Sequence, residues 1–101
     1  MKKPELLLVI DKYLTKCGVK KNPSFTTKFL IEKIKKEADA ASKNLKAKKE
    51  KALRENLINI VFLMTSISCI KDINPLEEIN KRIKEVKKGY HPILDEFMKS
   101  R

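Results

Sequence analysis

Glycine is nearly missing, with two residues in 101. No glycine-rich loop is there to cradle a phosphate, and no nucleophile elbow is present. One histidine and two cysteines, Cys17 and Cys69, stand in no metal-ligand spacing, so a zinc site lacks its donors and no His–Cys couple offers covalent catalysis. The cysteines read as reduced thiols, and His91, just before Pro92, as a helix cap or a solvated side chain. Aromatic residues are few, four Phe and two Tyr, and do not alternate with the basic ones, so bases have no obvious stacking platform. Long apolar runs are lacking too. The run 6–10 is cut by Asp11, too short for the core of a signal peptide, and no small-residue cleavage site follows. The run 57–70 is too short, and too polar at Asn59, to span a bilayer. These absences read as a soluble cytoplasmic chain with no membrane partner.

Lysine and charged residues are what the chain has in quantity. Lys and Arg number 24 against 13 Asp and Glu, a net charge of +11. Such a chain attracts anions: nucleotides, nucleic acid or acidic partners. The plain alternative is lysine spread over the solvated faces of every helix. The hydrophobic share of 42% is too high for a disordered chain, and the length suits one domain, 1–101, with a modest core. A small core of this kind is commonly completed by oligomerisation. Abundant Lys, Glu, Leu and Ile point to an all-α fold.

Periodicity places four helices and a tail. The first, about 4–17, carries a stripe of Leu7, Ile10 and Leu14 and ends before Gly18. The second starts near Ser24 or Thr26 and reaches about Lys46, with a thin stripe of Leu30, Ile34, Ala38, Ala41 and Leu45. The segment 43–50 reads as a helical extension or a mobile basic connection. The third, 53–70, has Leu53, Leu57, Ile60, Val61, Met64 and Ile67 on one stripe, with further apolar residues around most of its circumference. That pattern predicts a central helix surrounded by others. Asn56 and Asn59 interrupt it on one face, and Ser66 and Ser68 are expected to bond back to the preceding turn. Asn74-Pro75-Leu76-Glu77 is a helix start, with a capping Asn and Pro at the first helical position. The fourth helix carries Leu76, Ile79, Ile83 and Val86 and stops near Gly89. The tail, about 90–101, is expected to form one more short helix after Pro92.

This order resembles the MazG-like all-α NTP pyrophosphatases over nearly the whole chain, most strongly across 53–92. LRENLINIVFLM is similar to that family's LREELADVLFLL-type helix. INPLEEINKRIKEVKKGYHP is similar to its basic closing segment, and FLIEKIKKEADAA lies where the family has an EExxE helix. The resemblance implies a four-to-five-helix bundle completed as a homodimer or homotetramer. In the family, carboxylates from the two helices hold Mg²⁺, which binds a triphosphate and activates water.

Carried over residue by residue, the match changes the chemistry. Glu32 falls on the first Glu of EExxE, and Lys33 and Lys36 fall on the other two. Glu55 falls on the outer Glu of the second motif, with Asn56 and Asn59 on the two metal-binding carboxylates. Such a site should not hold Mg²⁺, and no cofactor is expected. It would instead present Lys33, Lys36, Asn56 and Asn59 to a phosphate, with Arg82, Lys87 and Lys88 in the closing basic segment. The reading is therefore a family member that has lost Mg²⁺-dependent hydrolysis and acts as a nucleotide- or anion-binding or interaction protein. If hydrolysis survives, shifted carboxylates, Glu32, Glu37 and Glu55, would carry the Mg²⁺. A third alternative is a basic helical protein that binds nucleic acid through its backbone phosphates.

Overall fold

The computed structural model describes residues 5–89 and 92–100. Its elements are α1 (Glu5–Lys16), a 3-10 turn (Val19–Lys21), α2 (Pro23–Lys46), α3 (Glu50–Ile70), α4 (Pro75–Lys87) and α5 (Pro92–Ser100). No strand occurs among the described residues, so the all-α expectation holds.

The ends of the helices follow from their residues. Gly18 ends α1 in the left-handed region at φ +74°, where glycine has no Cβ to clash. The start of α2 lies earlier than its hydroxyl residues suggest. Asn22 caps it, accepting from the Phe25 amide at 3.2 Å, and Pro23 follows as the first helical residue. At α4 the expected cap is present: Asn74 Oδ1 accepts from the Glu77 amide at 3.2 Å. The back-bonds are present too, from Ser66 Oγ to the Phe62 carbonyl at 2.9 Å and from Ser68 Oγ to that of Met64 at 3.0 Å.

α2 and α3 form an antiparallel hairpin, the body of the fold. The open question over 43–50 resolves into helix as far as Lys46, then a tight turn with Lys48 at φ +58° and the Lys49 amide bonded to the Asn44 carbonyl. α1 crosses α3 near its C-terminal end. Leu7, Ile10 and Leu14 meet Cys69 there in the buried core, with Val19 and Ile70 packed beside them. The Cys69 thiol reaches the Leu7 carbonyl at 3.7 Å. Both cysteines are free thiols.

Two expectations change. The stripe of α2 holds at Leu30, Ile34 and Ala41, which are half-buried, but Glu37, Ala40 and Asn44 complete it while Ala38 and Leu45 are exposed. The polar side chains turn inward because α3 offers them bonding partners. Nor is α3 surrounded. α2 and α1 cover part of it, but Leu57, Ile58, Val61, Phe62 and Met64 stay between 46% and 61% exposed. α4 and α5 diverge from the hairpin instead of closing over it, and the radius of gyration is 16.1 Å. A compact chain of this length has about 13 Å. The chain on its own is thus a helical hairpin with an N-terminal helix and a C-terminal arm, and its apolar third helix lacks a lid. Because α3 begins at Glu50, its 21 residues are long and apolar enough, by length and composition, to cross a membrane.

Candidate functional site

A chain of polar side chains crosses the hairpin. Asn56 Nδ2 donates to Glu37 Oε2 at 2.9 Å, and Asn56 Oδ1 accepts from Asn44 Nδ2 at 2.6 Å. Asn59, one turn along α3, donates to the same carboxylate oxygen at the longer distance of 3.4 Å. The spacing explains the convergence. Asn56 and Asn59 are three apart on one face of α3, while Glu37 and Asn44 are seven apart on one face of α2. Glu37, Asn44 and Asn56 are half-buried, so the carboxylate loses part of its water and takes amide hydrogens in exchange.

The remaining candidates lie elsewhere. The Lys33 ammonium sits 5.4 Å from the centre of the Phe29 ring, a cation–π contact on the outer side of α2. Lys36 is exposed. Glu32 pairs with Lys35 at 3.3 Å on the solvent face, and Glu55 is exposed. Arg82, Lys87 and Lys88 are exposed on α4 and at its C-terminal cap. The α2 side chain bonded to the asparagine pair is therefore Glu37. A phosphate entering here would meet the negative charge of that carboxylate, which already takes one amide hydrogen from each of Asn56 and Asn59.

Does this donor set suit Mg²⁺? Glu37 is its sole carboxylate, and the other members are amides. Among the described residues no group of three or more His, Cys, Asp or Glu side chains is placed to hold a metal. Mg²⁺ gives up its water reluctantly and is held by carboxylates working with substrate phosphates. One carboxylate bonded to two amides fits it poorly.

A second feature is larger. Leu57, Ile58, Val61, Phe62 and Thr65 line a groove of about 360 Å³ against Ile10 of α1. A second groove, about 450 Å³, runs from Leu7 past Val61, Met64, Thr65 and Ser68 to Leu76 and Ile79 of α4. Val9, Tyr13 and Phe62 extend the same surface along α1. Beside it, the Tyr13 hydroxyl is pushed above its usual range by its hydrogen bond with Cys17 and then by electrostatic repulsion from the same side chain.

Comparison with family models, curated proteins and solved structures gave no match. The MazG-like resemblance therefore rests on the motif residues alone.

The residue-by-residue transfer missed Asn44 and the open apolar surface. The signals were there: Asn44 shares a face with Glu37, and the run 57–70 carries no charge over more than one face of a helix.

Proposed function

We propose that this chain is a non-catalytic interaction protein, built on a helical scaffold of the MazG type, whose working surface is the apolar face of α1 and α3. The observation that carries this reading is the exposure of Leu57, Ile58, Val61 and Phe62 on one continuous face bordered by Ile10. Isolated exposed apolar residues are ordinary, but a contiguous patch of this kind marks a contact surface. The Glu37 pairing supports the non-catalytic half. The residue-by-residue match would set Lys33 and Lys36 opposite the two α3 positions, whereas Glu37 bonds them, and amides stand where the family's metal would require negative charge.

Two measurements test it. Titration with a panel of NTPs and dNTPs, with and without Mg²⁺, should give no pyrophosphate release. Mg²⁺-dependent turnover would overturn the reading and place the metal on Glu32, Glu37 and Glu55. Maleimide labelling of a Val61→Cys variant should be slow relative to Lys46→Cys, either in the pure protein or once its partner is added. A face that labels freely under every condition is not a contact surface.

One observation favours an added role toward anions. The hairpin tip, 43–51, holds Lys43, Lys46, Lys48, Lys49 and Lys51 against a single acid, Glu50. A polyanion would bind there through its phosphates, and the affinity would fall steeply with salt. A fluorescent oligonucleotide that stays free at low salt removes this role.

A further inference from the structure

We propose that the occupant of the α1/α3 face is the surface of an anionic lipid bilayer, in which the chain lies with α1, α3 and α4 in the headgroup layer and α2 toward water. The inference rests on the reading of that face as a contact surface and adds the chemistry of the partner.

The chemistry of the face is the first argument. The polar side chains lining its two grooves are Thr65 and Ser68. Both hydroxyls donate back into their own helix, to the Val61 carbonyl at 2.8 Å and the Met64 carbonyl at 3.0 Å. A protein interface carries about one hydrogen bond per 100–200 Å², and these walls offer no unspent side-chain donor for one. Hydrocarbon asks for none.

Placement agrees. On α3, Asn56 and Asn59 face α2. At 3.6 residues per turn, Leu57, Val61 and Thr65 fall on the opposite side. The lysines of α2 therefore stay in water while the apolar side is covered. α4 carries the surface onward. Leu76 and Ile79 border the same groove as Val61 and Met64, and the stripe continues through Ile83 and Val86, all between 40% and 54% exposed.

Charge names the lipid. On α4, Arg82 and Lys87 fall on either side of the apolar stripe, with Glu85 opposite it. On α1, Lys12 and Lys16 lie within one turn of Val9 and Tyr13. All four cations are exposed. An apolar stripe edged by Lys and Arg is the pattern of a helix lying in a membrane surface, and a net charge of +11 draws the chain to anionic headgroups. Tyr13, half apolar ring and half hydroxyl, suits the same depth. The helix does not cross. The uncharged stretch of α3, 56–70, spans only about 22 Å, short of the roughly 30 Å of a hydrocarbon core. Lying flat requires no such length, so the shortness of the apolar runs is no bar.

The test uses the full chain and two vesicle preparations, phosphatidylcholine alone and phosphatidylcholine mixed with phosphatidylserine. Flotation should carry the protein with the mixed vesicles, at an affinity about tenfold or more above that for phosphatidylcholine alone. Val61→Lys adds a positive charge, yet it should weaken binding to the mixed vesicles about tenfold with its helical circular dichroism retained. Two labelled variants keep the test sound should that one misfold. An environment-sensitive fluorophore on Val61→Cys, in a Cys17→Ser background where Cys69 stays buried, should shift to the blue when mixed vesicles are added. The same label on Lys35→Cys should not. Flotation with neither preparation overturns the proposal. So does an equal response from the two labels, which marks adsorption through scattered lysines. A Val61→Cys label already blue-shifted without lipid, in a chain that sediments as a dimer, gives the face to a second copy: the bilayer falls and the contact-surface reading survives. A label that stays in water under every condition removes both.

Discussion

Asn56 donates to Glu37 at 2.9 Å across the α2–α3 hairpin, so a carboxylate on one helix is hydrogen-bonded by an amide on the other. The bond fixes which turn of α2 lies against which turn of α3. Polar pairs inside helical interfaces set register in this way, at some cost in stability relative to a purely apolar seam.

Glu37→Ala should destabilise the hairpin by about 1–2 kcal/mol, chiefly because the half-buried Asn56 amide loses its acceptor. Glu37→Gln keeps an acceptor oxygen and should cost less. Urea denaturation of both variants checks the order. Equal losses would show that charge, and not acceptance, is what matters.

Asn56→Glu with Asn59→Asp should place three carboxylates together with Glu37. Repulsion between them should lower the melting temperature without metal, and Mg²⁺ should restore it. Thermal scans with and without Mg²⁺ read this directly. A double variant that is indifferent to Mg²⁺ counts against the MazG-type scaffold.

Lys48→Gly should stabilise the chain by up to about 1 kcal/mol. Lys48 occupies the left-handed region at φ +58°, where a Cβ is strained and glycine is not. The gain is offset in part by the extra freedom of glycine in the unfolded chain. A midpoint shifted downward would mean that the Lys48 side chain stabilises the turn by more than its backbone strain.

Asn74→Ala should fray α4 while leaving the hairpin almost untouched. Losing such a cap costs about 1 kcal/mol of helix stability. Because α4 leans little on the rest of the chain, hydrogen exchange should speed up in 75–87 and stay constant in α2. A matching loss in both would show that the arm and the hairpin unfold together.

Tyr13 should ionise above its usual range, as the thiol of Cys17 raises it. Cys17→Ala should bring it down, as read by ultraviolet titration of the phenolate. The sign for folding follows: the stabilisation is whole below the unfolded-state value of about 10 and is lost as pH rises through the higher folded value.

Much of the scaffold was legible because local chemistry set it. Leu7, Ile10 and Leu14 repeat at helical spacing and are buried; Asn74-Pro75 caps, and Gly18 ends a helix. The face of α2 was legible only in part: Leu30, Ile34 and Ala41 turn inward as their spacing says. The stripe is thin, so the choice between Ala38 with Leu45 and Glu37 with Asn44 was left to α3, which offers Asn56 as a partner. The turn at Lys48 carries no turn residue to announce it. The exposure of Leu57 and Val61 was hidden because apolar periodicity reports what must be covered, not what covers it.

Asn56 engages both ends of its amide, oxygen toward Asn44 and nitrogen toward Glu37. A half-turn of that side chain would set nitrogen against nitrogen on one side and oxygen against oxygen on the other. The chemical shifts of its amide nitrogen and protons should therefore be displaced from those of a solvated asparagine. Those resonances would serve as a built-in reporter of hairpin alignment, returning to solvent-like values when α2 slips along α3.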